Sequence, residues 1–144
     1  MSSDDRAEPA VSHHPGAPPH EYPQSDELLR DLDDHGVLLL TLNRPHRNNG
    51  WTFALEDAYL GTLIAAANDP AVRAIVVTGA GKSFCPGLDM QVLDRSARTG
   101  DAGGAYRRWP MTTARLIPKP VVAAINGACA GIGFVQMASA DIVF

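Results

Sequence analysis

Two short apolar runs restrict the folds open to this chain more than any other feature. RAIVVT at 73–78 and VVAAIN at 121–126 are each followed by a glycine-rich turn and then by helical spacing. Runs of this length, rich in Val, Ile and Ala, are expected to be strands covered on both faces in a parallel sheet. Parallel neighbours need a crossover, and the segment before the first run supplies one. Thr52 is a candidate N-cap, Leu55, Tyr59, Leu63 and Ala66 recur at helical spacing, and NDP at 68–70 ends the pattern. The crossover is expected to be right-handed. Upstream, ELLRDLDDHGVLLLTLN at 27–43 reads as two strands joined at DDHG, with Gly36 able to take the positive φ of a hairpin turn. The pattern of strand, turn and buried helix then occurs twice, with helices expected from Asp89 to about Ala97 and over FVQMASA at 134–140. A further helix is expected from Tyr106 to Ile117, closed by Pro118 and Pro120, and DIVF at 141–144 reads as the opening of one more strand. The fold class is α/β.

Composition narrows the function. At 144 residues and 45% hydrophobic content the chain can bury one core. Residues 1–25 are rich in Pro, Ser and His, with Tyr22 the one aromatic, and are expected to form a disordered tail ahead of a domain over 26–144. His13, His14 and His20 in that tail are expected to be solvated rather than metal ligands. A net charge of −4 leaves no broad basic surface for a phosphodiester backbone, so nucleic acid is not an expected partner. GACAG within 121–140 spells the small-xxx-small pattern of membrane helix pairs, but Asn126, Gln136 and the flanking prolines argue against a span, and no membrane association is expected. Cys85 and Cys129 lack metal-ligand spacing or a disulfide framework, and the acidic N-terminus lacks the apolar core of a secretory signal. A cytoplasmic, reducing location is expected. No histidine follows His46, so both thiols are expected to be small buried hydrophobes rather than nucleophiles.

The glycines of VVTGAGKSFCPGLDM at 76–90 pose the functional question. A phosphate-binding loop needs a glycine where Val76 stands, and a dinucleotide fingerprint needs a small residue where Phe84 stands, so neither nucleotide motif is met. Turns that lead from a strand into a helix expose unpaired N–H groups where the helix dipole also favours negative charge. Gly87 permits a tight path that lets the N–H groups of Leu88 and Asp89 face a cleft, and Gly131 and Gly133 do the same for the N–H of Ile132. Two such turns facing each other would form a donor site for a developing oxyanion.

Three blocks, TLNRPHRNN at 41–49, VRAIVVTGAGKSFCPGLDM at 72–90 and IPKPVVAAINGACAGIGFVQMASADIVF at 117–144, together resemble the enoyl-CoA hydratase/isomerase (crotonase) family in order and spacing. The resemblance covers roughly Leu28 to Phe144. It implies a crotonase-like (ClpP/crotonase) spiral of ββα units, C-terminally incomplete, and an acyl-CoA substrate with no cofactor beyond the coenzyme A of that substrate. It also implies a homotrimer or hexamer for a full-length chain. By position, the N–H groups of Leu88 and Ile132 become the two oxyanion donors around the thioester carbonyl. The family usually has glycine where Ile132 stands, and a β-branched residue there is expected to crowd the thioester or disfavour the backbone conformation.

Val135 is the larger departure, because hydratases carry there the first of two glutamates that hold water, and the second would lie beyond Phe144. Loss of a positioned acid or base costs about a hundredfold to ten-thousandfold. Activity, if present, is therefore expected to be lyase, isomerase or hydrolase chemistry with another base. The alternatives are a non-catalytic acyl-CoA-binding pseudo-enzyme and a truncated product that folds poorly. Asp89 is a candidate catalytic carboxylate, with a helix-start role as its structural alternative. Gln136 is a candidate substrate contact, or a partner for nearby backbone. Arg44, His46, Arg47 and Lys82 are candidate contacts for the coenzyme A phosphates. Lys119 reads as a solvated connector, Asn49 as a fastener of the loop after its strand, and Tyr106 and Trp109 as packing residues near a pocket.

Overall fold

A computed structural model describes residues 21–100 and 107–144 of the chain. The hairpin expected near the start is present: β1 (Leu28–Leu32) and β2 (Val37–Leu42) pair antiparallel. Asp33 closes the turn by accepting the N–H groups of His35 and Val37, while Gly36 takes φ +83°, where a side chain would be strained. Helix α1 (Phe53–Asn68) starts as expected at Thr52, whose hydroxyl accepts the Leu55 N–H at 3.0 Å. It crosses over to β3 (Ala74–Gly79), which pairs parallel with β2 along its full length. After β4 (Ser83–Cys85) and α2 (Met90–Thr99) come β5 (Val121–Ala123), β6 (Ala128–Cys129), α3 (Ile132–Ser139) and β7 (Ile142–Val143). Five strands form one sheet in the order β1-β2-β3-β5-β7, and β4 and β6 form a separate parallel pair.

The core lies between the large sheet and α1. Leu55, Tyr59, Leu63 and Ala66, the residues expected at helical spacing, are all fully buried, and they meet Leu38, Leu40, Leu42, Ile75, Val77, Val121 and Ala123. Burial alternates along β2 and β3 rather than extending to both faces: Leu40 is fully buried, whereas Leu39 is 37% exposed. The expectation of strands covered on both sides is thus corrected. The row Leu39, Val76, Val122 and Ile142, linked by strand register, lies on the less covered face.

Several other expectations change. Strands β4 and β6 lie within the segments expected to be glycine-rich turns, because two or three residues set among glycines carry no periodicity. The helix after the first turn, α2, buries none of its residues, so only the second strand-turn-helix unit ends in a packed helix. In place of a helix up to Ile117 there is a 3₁₀ turn at Thr113–Leu116, and Tyr106 lies outside the described residues. Pro110 accounts for this: it lacks an N–H to donate and disfavours helical backbone at Trp109. Trp109 itself packs partly buried against the core, as expected. Lys119 is more than a connector, since its ammonium donates to the carbonyls of Ala66 and Asp69 and caps the C-terminal end of α1.

Residues 21–25, grouped with the tail by composition, are tied to the domain. The Tyr22 hydroxyl donates to Asp69 Oδ2 at 2.7 Å, and Arg30 donates to the Pro23 carbonyl while lying 5.2 Å from the centre of the Tyr22 ring. The histidines of the tail lie outside the described residues. None of the described helices is long and apolar enough to cross a membrane.

The alternation along β2 gives a direct test. Leu40→Ala is expected to cost about 2–5 kcal/mol in denaturant unfolding, and Leu39→Ala less than about 1 kcal/mol. Equal losses would show that the two faces of the sheet are not distinguished as described.

Candidate active site

Parallel pairing of β4 with β6 brings the two glycine turns side by side. Cys85 and Cys129 are register partners, and the Ala130 N–H donates to the Cys85 carbonyl at 3.0 Å. Beyond them the chain turns at Gly87 (φ +126°) and at Gly131 (φ +53°), both in conformations that favour glycine. A Cβ on Gly131 would lie 3.4 Å from Gly87 Cα, so the turns are in contact. Gly133 is fixed more tightly still, because a Cβ there would lie 2.1 Å from the Cys85 carbonyl oxygen.

Both candidate donors are unpartnered among the described residues. At the first turn an isolated parallel bridge joins Trp51 to Leu88: the Trp51 N–H donates to the Gly87 carbonyl at 2.8 Å, and the Asp89 N–H to the Trp51 carbonyl at 2.9 Å. The Asp89 N–H is therefore consumed, correcting the expectation that it faces a cleft, and the Leu88 N–H is left. At the second turn the N–H groups of Gly133 and Phe134 go to the Ala130 carbonyl and that of Val135 to the Gly131 carbonyl, leaving the Ile132 N–H. Ile132 is the first residue of α3 and adopts helical backbone, so the expected conformational objection to a β-branched residue does not arise.

Arg44 does not project toward a ligand, which corrects its assignment as a phosphate contact. Its guanidinium is buried, with Nε 3.0 Å from Glu27 Oε1 and Nη1 2.9 Å from Asp89 Oδ2, and Nη1 also donates to the Gly50 carbonyl. Asp89 is equally occupied: Oδ2 takes Arg44, and Oδ1 accepts the Gln91 N–H at 2.9 Å as the cap of α2. Burial pushes its carboxyl up, but the Gln91 N–H and the Arg44 guanidinium outweigh that, with help from Arg47, and hold it below its ordinary value. A carboxylate so held is a poor proton acceptor, and the helix-start reading fits its geometry. His46, Arg47 and Lys82 are exposed, on the 3₁₀ turn Pro45–Arg47 and on the loop before β4.

Gln136 is 1% exposed, and neither its amide nitrogen nor its oxygen has a hydrogen-bond partner among the described residues. The expected backbone partner is not found. Val135 is partly exposed beside it on α3. Cys85 is fully buried and Cys129 half-buried, and burial raises both thiols, in keeping with inert side chains. Among the described residues no group of three or more His, Cys, Asp or Glu could hold a metal ion.

Asn49 fastens its loop as expected: its side chain accepts the Arg44 N–H and donates to the carbonyls of Ala80 and Ser83. Sequence reasoning missed Asn126, whose amide donates to the carbonyls of Gly79 and Gly81 and whose oxygen accepts the Gly79 N–H. The GAGKS glycines thus belong to a turn held by two asparagines. Also missed were Glu27, Trp51 and Glu56. Glu56 accepts the Trp51 indole N–H at 3.1 Å and the Arg107 Nε–H at 2.9 Å. Buried Glu56 carried one signal, a carboxylate on the otherwise apolar face of α1.

A depressed carboxyl contributes stability that is present above its unfolded pKa and lost as pH falls through the folded one. The melting temperature is therefore expected to fall below pH ~4, and to fall less steeply in Asp89→Asn, which keeps the cap but cannot ionise. At neutral pH that variant is expected to be about 1.5–3 kcal/mol less stable, the range for a hydrogen bond to a charged group. Identical acid slopes would remove Asp89 as the source.

Comparison with known proteins agrees with this architecture. The family model described as Enoyl-CoA hydratase/isomerase matches residues 33–144. A 1,2-epoxyphenylacetyl-CoA isomerase of Escherichia coli is 34% identical over 122 residues, covering 81% of this chain and 47% of that protein. Among solved structures, the enoyl-CoA hydratase of Polaromonas superposes with TM-score 0.71 at 32% identity, over 81% of this chain and 46% of that one. For the enoyl-CoA hydratase EchA12_1 of Mycobacterium marinum the values are 0.66 and 33%, over 83% and 50%. The chain spans about half the length of the relatives it matches. Carrying the crotonase α/β fold and matching from residue 33 through 144, the chain belongs to the enoyl-CoA hydratase/isomerase family.

Proposed function

We propose that this chain binds an acyl-CoA thioester and stabilises an enolate-like oxyanion with the main-chain N–H groups of Leu88 and Ile132. The observation that carries this reading is the pair of unpartnered amides on two turns whose glycines touch. The first N–H groups of a helix have no internal partner, and two amides left open on turns that touch suit an oxygen that gains charge during reaction. The names of the relatives, among them an isomerase and hydratases of CoA esters, favour a thioester as the source of that oxygen. Gln136 would offer its amide to the acyl part, while the exposed Arg47, with His46 and Lys82, would meet the coenzyme A phosphates.

Val135 favours a second reading, binding without hydration. Among the described residues the two buried carboxylates, Glu56 and Asp89, are both engaged in ion pairs, and neither is free to move a proton. Crotonyl-CoA separates the readings. Loss of the conjugated-thioester absorbance on addition of the chain establishes catalysis; binding with a steady absorbance establishes the binder.

Ile132→Pro tests the second donor. It removes the N–H at the first position of a helix, where proline is tolerated and no internal hydrogen bond is lost, and exchanges the half-buried isoleucine side chain for a smaller apolar ring. If turnover occurs, it is expected to fall by about a hundredfold to a thousandfold with the thermal melt little changed. Full activity in a folded Ile132→Pro variant would exclude this amide.

A further inference from the structure

We propose that Arg44 is the positioning residue of the Leu88 donor, clamping the two chain segments whose bridge aims that N–H. The inference rests on the oxyanion reading above and adds the means by which the first donor is held.

Gly87 alone cannot hold the donor in place. Glycine at φ +126° has wide torsional freedom, so the plane of the Gly87–Leu88 peptide must be set from outside. A trans peptide is planar, and its C=O and N–H point in opposite directions. Because the Gly87 carbonyl is drawn to the Trp51 N–H at 2.8 Å, the Leu88 N–H is turned away from Trp51, and the second turn lies against Gly87 itself. The next peptide is pinned by the Asp89 N–H on the Trp51 carbonyl. These two hydrogen bonds form an isolated bridge, without the ladder that would keep a longer strand pair in place.

One guanidinium nitrogen spans that bridge. Arg44 Nη1 donates to the carbonyl of Gly50, the residue before Trp51, and to the carboxylate of Asp89, the residue after Leu88. Each segment of the bridge is thereby held within one residue of its hydrogen bonds. The other side of the guanidinium is fixed by Glu27 at 3.0 Å, and Glu27 in turn accepts the hydroxyl of Thr52, the residue after Trp51. The planar fork matters: an ammonium at the end of a flexible chain is a point charge and cannot hold three acceptors in one plane.

The experiment uses the full chain, wild type and Arg44→Lys, with Asp89→Asn as a second variant that keeps the α2 cap. Two readouts are taken. The first is the backbone order parameter of the Leu88 amide by ¹⁵N relaxation without ligand, expected to drop from the rigid value of about 0.85 toward 0.6 in Arg44→Lys while residues of β2 and α1 stay rigid. The second is the carbonyl stretch of ¹³C-labelled crotonyl-CoA bound to each protein. Wild type is expected to shift it to lower frequency, and Arg44→Lys to lose at least half of that shift at saturating ligand. A Leu88 amide as rigid in both folded variants as in wild type overturns the clamp. A wild-type complex without any carbonyl shift overturns the oxyanion reading instead, while selective loosening of Leu88 would still establish that Arg44 holds it.

Discussion

The close approach of Gly133 to the Cys85 carbonyl is the constraint on which the site depends. With no side chain at 133, the first turn of α3 can rest on the end of β4, and the short β4–β6 pair then delivers both glycine turns to one place. A Cβ there would have to move backbone rather than a flexible side chain, so the gap between the two turns would open. The large sheet and α1 supply most of the buried apolar area, but they do not by themselves bring Leu88 near Ile132. That task falls to five residues of strand and one missing side chain.

Much of the scaffold was legible because it follows from patterning. The hairpin at Gly36, the Thr52 cap, the apolar stripe of α1 and the strands at 74 and 121 each have a local cause in propensity or spacing. The elements that escaped are those without a local cause. Strands β4 and β6 exist because they pair with each other, and the second face of the sheet is less covered because of what packs on it, which no window of sequence records. Pro110 was visible but was outweighed by the apolar spacing around it, where its missing N–H should have decided the matter.

The candidate site divides in the same way. Glycine placement pointed to the two turns, since only a few backbone conformations require that residue. Charged side chains were less readable. Arg44 and Arg47 stand three apart on one loop, yet one is buried in an ion-pair network and the other exposed, and the difference lies in Glu27 and Asp89, distant in sequence. Asp89 and Asn126 likewise act on partners that only the fold brings near. Gln136 remains the one buried side chain of α3 whose amide stays open at both ends among the described residues, and it stands beside the residue where the family's hydratases carry a carboxylate.

Residues 21–27 have a practical bearing on how this protein is handled. Tyr22 ties the segment to the end of α1, Pro23 seats against Gly61, and Glu27 holds both Arg44 and Thr52. Expression designs that trim back to the first strand at Leu28, a natural cut by inspection of strand boundaries, would delete Glu27 and with it one anchor of the buried Arg44 guanidinium. Tags and fusion junctions therefore belong ahead of Glu21, where they leave the carboxylate at 27 and its neighbours in place.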